Sequence, residues 1–221
     1  ADKWLDVYAK FMVGPGGQFR IGQYKQNMNM EELISTKSID FVSRALPNAF
    51  TIGRRLGVEY MQFGSNWTAS AGVYDRELTN NGGKGTGVVV RATYAPVYEL
   101  EETLHFGVAV SSQEQSKNVA RFSTRPEADL ANFRLVDTGN LANAERNNQI
   151  GLEAAYSKGP WAVQGEYIRA DVSRSAGLDD YSADGYYVYG TWFVTGEAKT
   201  YKQGKFDYPV PNDPGKGALE L

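Results

Sequence analysis

A period of two repeated over strand-length segments, short turns alternating with long polar loops, and aromatic residues near segment ends together predict an all-β chain. The same features predict an antiparallel transmembrane β-barrel, of which about nine or ten strands are covered. Residues 53–112 show the pattern in four consecutive segments. Leu56, Val58 and Tyr60 alternate with Gly57, Glu59 and Met61, and Trp67, Ala69, Ala71 and Val73 with Thr68, Ser70, Gly72 and Tyr74. Val88, Val90, Ala92 and Tyr94 then oppose Val89, Arg91 and Thr93, and Leu104, Phe106, Val108 and Val110 oppose His105, Gly107, Ala109 and Ser111. One parity suits lipid and the other water, so Leu56, Val58, Val88, Val90, Leu104, Phe106, Val163 and Trp192 are expected to point outward.

Composition narrows the alternatives. The 221 residues include 14 Tyr and 24 Gly but no long apolar run, whereas a membrane-spanning helix needs about 20 consecutive apolar residues. There is no cysteine, which excludes disulfides, thiolate metal sites and a Cys nucleophile. A net charge of -3 argues against a nucleic-acid partner, whose phosphates call for a basic surface.

The first segment, 4–13, sets Leu5, Val7, Ala9 and Phe11 against Asp6, Tyr8 and Lys10, and Pro15-Gly16-Gly17 turns it into a second strand. Residues 25–50 break the rhythm. Met28, Met30, Leu33 and Ile34 mix there with Glu31, Glu32, Lys37 and Arg44, and Met30 to Ser43 reads as either a short helical turn or an irregular insert. Long loops between strands carry function more often than chance, so 25–50 is a candidate constriction loop folded into the lumen, the ordinary alternative being an exposed excursion. Residues 113–148 and 173–184 read as long loops, with strands between them at 150–156 and 161–167 and after them at 186–195. Asn81–Gly87 reads as a hairpin turn, since it lacks the spacing of a phosphate-binding loop. Gly217–Leu221 looks like the start of a further strand, and the whole chain reads as one internal section of a longer barrel, with export inferred.

Three groups of residues carry a resemblance. The first runs Ile21-Gly22-Gln23-Tyr24-Lys25, Met30-Glu31-Glu32-Leu33-Ile34-Ser35-Thr36-Lys37, Arg44-Ala45-Leu46-Pro47 and Gly53-Arg54-Arg55-Leu56-Gly57-Val58. The others are Ala162-Val163-Gln164-Gly165-Glu166-Tyr167, and Gly185-Tyr186-Tyr187-Val188 through Thr195-Gly196-Glu197 to Tyr201 and Phe206. In order and spacing they are similar to the phosphate- and polyphosphate-selective porins of Gram-negative outer membranes. The resemblance implies a sixteen-stranded homotrimeric porin, seated in outer-membrane lipid and passing small anions, phosphate or polyphosphate among them, through a passive channel without a cofactor. It implies that Ser35 and Arg44 supply a hydroxyl and a guanidinium to the central anion site. Glu32 stands where the phosphate channels carry a lysine, Lys25 where they carry a pore-narrowing aromatic, and Leu5, beside Asp6, where they carry an acid. An anion preference weaker than theirs, with residue 32 at the constriction, is the resulting expectation.

Dehydrating an anion requires several N–H or O–H donors spaced along its path. Strand parity puts Lys10, Arg20 and Arg91 on the water side, and Arg54 and Arg55 stand at a strand entrance. Lys25, Ser35, Lys37 and Arg44 belong to the candidate constriction loop. Lys202 and Lys205 follow the aromatic strand on a segment that the family folds inward. These ten residues other than Lys10 form the candidate pore-lining set. His105 is the one histidine and has neither a catalytic triad nor a metal set around it, so no enzyme site is expected. The competing readings are a general, weakly selective porin, with Glu32 and Glu59 offsetting the cations, and a soluble β-barrel binding protein with its apolar face inward.

Overall fold

In the computed structural model, residues 4–78, 85–125 and 133–221 are described; the expected turn at Asn81–Gly87 lies mostly outside them. The strands are β1 (Val7–Val13), β2 (Gly17–Lys25), β3 (Arg54–Phe63), β4 (Trp67–Tyr74), β5 (Gly87–Tyr98) and β6 (Glu102–Glu114). Four two-residue strands follow, β7 (Val119–Ala120), β8 (Ser123–Thr124), β9 (Val136–Asp137) and β10 (Leu141–Ala142). Then come β11 (Ala144–Lys158), β12 (Trp161–Arg174), β13 (Tyr181–Trp192), β14 (Thr200–Lys202) and β15 (Lys205–Asp207). Nine of them form one antiparallel sheet in the order β1-β2-β3-β4-β5-β6-β11-β12-β13. Beyond β13, Trp192 and Val194 pair through their backbone with Leu221 and Leu219 at 2.8 Å, and Phe193 and Glu220 form an isolated bridge. Among the described residues no helix is long and apolar enough to cross a membrane, which leaves crossing by strands open.

The two faces of the sheet differ as the alternation requires. Val58, Val88, Val90, Phe106, Val163 and Trp192 are exposed on one face and Leu56 and Leu104 partly so. On the other face Glu59, Ser70, Arg91, Thr93, His105, Gln149, Glu153 and Glu166 are buried. This is the reverse of a soluble barrel, whose apolar face is hidden. A sheet that hides polar side chains and shows apolar ones is matched to lipid outside and to polar partners inside.

Two expected loops are shorter than their composition suggested. β6 and β11 run well into 113–148, leaving 115–143, and within that stretch β7 pairs with β10 and β8 with β9. The second shrinks to 175–180, because β12 and β13 stay in register from Trp161↔Trp192 to Val172↔Tyr181. The strands outrun the apolar band. Past it both faces of β6 and β11 are polar, as with Asn147, Asn148 and Gln149, and the alternation that marks a strand in sequence disappears while the hydrogen-bond ladder continues.

A cation in the middle of the apolar face tests this orientation. Val108→Arg is expected to destabilise the full-length protein in lipid vesicles by about 2–4 kcal/mol, the range for barrel midplane positions, in urea titrations followed by tryptophan fluorescence. An unchanged midpoint would place Val108 away from lipid.

Candidate anion path

Residues 26–52 lie against the polar face of the sheet. Their base is fixed where Gln26 Nε2 donates to the carbonyls of Tyr24 and Arg55, each at 3.2 Å. Asn27 Nδ2 donates to Glu59 Oε1 at 2.6 Å and to Ser70 Oγ at 3.1 Å. Met28 packs with Ile52, Tyr74, Val89 and Ala109. The Met28 carbonyl would lie 3.1 Å from a Cβ at position 151, so glycine there admits the crossing segment. Asn29 Nδ2 and the Met30 N–H then reach the Glu166 carboxylate on β12, at 3.1 and 2.5 Å. Four residues thus cross the sheet from β3 to β12.

At Glu166 the chain makes one helical turn, α1 (Met30–Leu33). Asn29 offers no side-chain cap, so free N–H groups of the first turn go to the side-chain oxygens of Glu166 instead. Tyr187 Oη also donates to this carboxylate at 2.7 Å. The carbonyls of α1 find cations: Lys25 Nζ donates to Glu32 O at 2.5 Å and Ile34 O at 3.2 Å, and Arg44 donates to Glu31 O at 3.0 Å and Ile34 O at 2.8 Å. Buried Glu31 accepts the Ala45 N–H at 3.1 Å, and burial pushes its carboxyl up to about 7. Leu46–Phe50 forms a 3-10 turn that packs on β12 and β13, with the Pro47 ring 3.1 Å from where a Cβ at Gly185 would stand.

The hairpin β14–β15 closes on the same face. Arg91 Nη2 donates to Gly204 O at 2.6 Å, Tyr201 Oη lies 2.6 Å from His105 Nδ1, and Lys205 Nζ donates to Leu33 O at 3.3 Å. His105 is fully buried in this packing, and among the described residues no group of side chains could hold a metal ion.

Between this hairpin, the loop and β1–β3 lies a cavity of 350 Å³ lined by Lys10, Arg20, Lys25, Arg54, Arg91 and Lys205, with Asp6 the one carboxylate among its lining residues. Ser35 and Thr36 supply hydroxyls to it. Carboxylates hold four of the cations or share in holding them, Asp6 from within the lining and the others from behind it: Arg20–Glu59 is 2.6 Å, Arg91–Glu153 2.7 Å, Arg54–Asp6 3.0 Å and Lys25–Glu32 3.8 Å. Lys10 stands 5.5 Å from the ring centre of Tyr8. Neither it nor Lys205 has a carboxylate at ion-pair distance among the described residues. Burial pushes the Lys205 ammonium below its ordinary range, and Arg91, Arg20 and Lys10 push it the same way against Asp207.

The expected site residues therefore separate. Arg20, Lys25, Ser35, Arg54, Arg91 and Lys205 converge, together with Lys10. Arg44 faces a larger cavity of 1240 Å³ beside Tyr187 and Tyr189, which Thr36 also reaches. Lys37 borders an 80 Å³ cavity next to the Asp40–Lys199 ion pair of 2.6 Å. Arg55 lines a third space of 310 Å³, and Lys202 is exposed at the hairpin tip. Glu32 departs from expectation. It is buried, accepts Asn48 Nδ2 at 2.9 Å and lies 3.4 Å from Arg44, so it pins the loop instead of lining the cavity. Glu153 and Glu166 were missed as anchors; their signal in the sequence is an acid on the inward parity of a strand, which acquires meaning only once the covering segment is known.

Sheet and cavity together make a porin-like wall with residues 26–52 docked on its polar face. Residues 1–221 match the family described as "Phosphate-selective porin O and P", and the chain belongs to that family. It is 28% identical over 241 residues to an uncharacterized protein of Caulobacter vibrioides, covering 100% of this chain and 48% of that protein. It is 25% identical over 173 residues to Porin O of Pseudomonas aeruginosa, covering 69% of this chain and 40% of that one. The chain thus spans about half the length of these relatives or less.

Two outcomes are expected for the loop. Gln at 166 turns an acceptor into a donor facing donors, so Glu166→Gln should lower the hydrogen-exchange protection of amides 30–34 about tenfold or more, the equivalent of one charge-assisted bond; full protection would remove Glu166 as the anchor. For Glu31, a folded value above the unfolded one means that its contribution is complete below about pH 4.5 and lost as pH rises through about 7. Protection of 31–45, corrected for intrinsic rates, should be lower at pH 8 than at pH 5 and insensitive to pH in Glu31→Gln. The opposite order would contradict the burial of a charged Glu31.

Proposed function

We propose that this chain is part of the wall of a Gram-negative outer-membrane porin that passes small anions, with residues 25–50 narrowing its lumen. The observation that carries the reading is the convergence of Lys10, Arg20, Lys25, Arg54, Arg91 and Lys205 on one cavity with Asp6 as the carboxylate in its lining. Such a space lowers the free energy of an anion through several weak donors and so lets it leave again, as conduction requires. The exposed apolar face supports a setting in outer-membrane lipid. Because four of the cations have carboxylate partners, the field at the cavity rests on Lys10 and Lys205. The preference for anions that this section of the wall contributes is therefore modest: among the described residues each arginine lining this cavity has a carboxylate partner. Similarity to a protein named Porin O supports the same class of channel.

The test is the reversal potential of the full-length protein in planar bilayers under a potassium chloride gradient. Lys10→Gln with Lys205→Gln is expected to lower the chloride-to-potassium permeability ratio roughly twofold or more, screening by mobile ions limiting the effect. An unchanged ratio would show that these lysines do not set selectivity.

A further inference from the structure

Lys199, between β13 and β14, is a buried cation that lines no part of the candidate anion path. Its Nζ donates to Asp40 Oδ1 at 2.6 Å, and the two side chains are 6% and 5% exposed. Glu220 Oε1 lies 3.4 Å from the same ammonium, and the ring centres of Tyr189 and Phe206 lie 5.9 Å from it. Asp40 belongs to the stretch of the loop between its two wall contacts, the Glu166 anchor at 29–31 and Pro47 against Gly185. Within that stretch Arg44 and Ala45 turn back onto α1 and its flank. Outward, Ile39 packs on the cluster of Met30, Ile34, Ala155 and Phe206, Phe41 meets the Tyr189 ring at 5.1 Å, and Ser38 Oγ makes an exposed bond of 3.1 Å to Asp207. Asp40 on Lys199 is the buried charged contact among them.

Two charges surrender their hydration to form a buried pair, so its use lies less in added stability than in fixing one arrangement among several. Ile39 and Phe41 bury apolar surface, an attraction without direction that tolerates sliding. The ion pair does not. A tip that slid would strand a carboxylate and an ammonium in the interior. We infer that Lys199 is a positioning residue for the channel: through Asp40 it clasps the tip of the loop and so fixes where Ser35, Thr36 and Arg44 stand along the lumen. The inference rests on the reading of residues 25–50 as the narrowing. The network is also asymmetric. Without Asp40, Lys199 keeps Glu220, whereas without Lys199 the Asp40 and Glu220 carboxylates repel each other with no cation between them.

The experiment pairs single-channel recordings in potassium chloride with hydrogen exchange on the same full-length protein. Asp40→Asn is expected to lower the protection of amides 36–41 about tenfold or more. Open-channel current noise should rise roughly twofold or more, because local opening of the tip moves the narrowing, while the protection of β11 and the chloride-to-potassium permeability ratio stay unchanged. Lys199→Met should act the same way more strongly, and adding Asp40→Asn to it should relieve part of the effect, since one of the two stranded carboxylates is then gone. Lys199→Arg should keep the native noise, the 80 Å³ cavity beside the pair taking the larger guanidinium. If Lys199→Met fails to fold, Asp40→Asn and Lys199→Arg still decide the matter. Native protection together with native noise in Asp40→Asn would overturn the clasp. Lower protection with native noise and conductance would show a clasped tip that does not border the narrowing, which overturns the inference and the reading of the loop together. Absence of current from the unaltered protein would overturn the channel reading, and exchange alone would then decide the clasp.

Discussion

The carboxylate of Glu166 receives the Met30 N–H, the Asn29 amide and the Tyr187 hydroxyl, and the inner architecture of the chain depends on that meeting. Without an acceptor there, the first turn of α1 would bury unpaired N–H groups at a cost of about 1–3 kcal/mol each. With it, the segment that leaves β2 crosses the sheet in four residues and is held at the far side. The remaining contacts follow from where this places the chain. The carbonyls of α1 come within reach of Lys25 and Arg44, and the β14–β15 hairpin meets the loop at Leu33.

Polar groups on the inner face serve in two layers. Glu59, Glu153 and Glu166 sit nearest the wall and take hydrogen bonds from the loop or hold arginines in place. The cations they position, Arg20 and Arg91, line the cavity with Lys10 and Lys205. An arginine paired on one side retains N–H groups for an anion on the other, so structural pairing and a donor role are compatible. Pairing also lowers the net field, which is why two lysines without carboxylates carry most of the selectivity proposed for the cavity.

Much of the wall was legible in the sequence because a sheet with one apolar and one polar face imposes a rule on every second residue. Val88, Val90 and Phe106 could be oriented by counting. The path of 26–52 over the polar face showed only as a break in rhythm, since the interactions that fix it join residues far apart in sequence, 32 positions for Asn27 and Glu59 and 136 for Met30 and Glu166. Composition misled at 113–148: Gln113, Asn147 and Asn148 read as loop because both faces of β6 and β11 are polar beyond the apolar band. Residue 32 was misplaced for a related reason. Helical geometry turned Glu32 toward Asn48, Lys25 and Arg44, and no linear pattern reports which side of a single turn faces the lumen.

The central claim, that residues 26–52 are docked on the inner wall, is tested most directly by cross-linking. The chain has no cysteine, and Pro47 Cβ lies 3.4 Å from where a Cβ at Gly185 would stand, close to the roughly 3.5–4.5 Å of a disulfide. Pro47→Cys with Gly185→Cys in the full-length protein should oxidise to an intramolecular disulfide, seen as loss of both thiols by mass spectrometry. Two thiols that stay free under oxidising conditions and react with a bulky water-soluble maleimide would place the loop away from the wall and contradict the account.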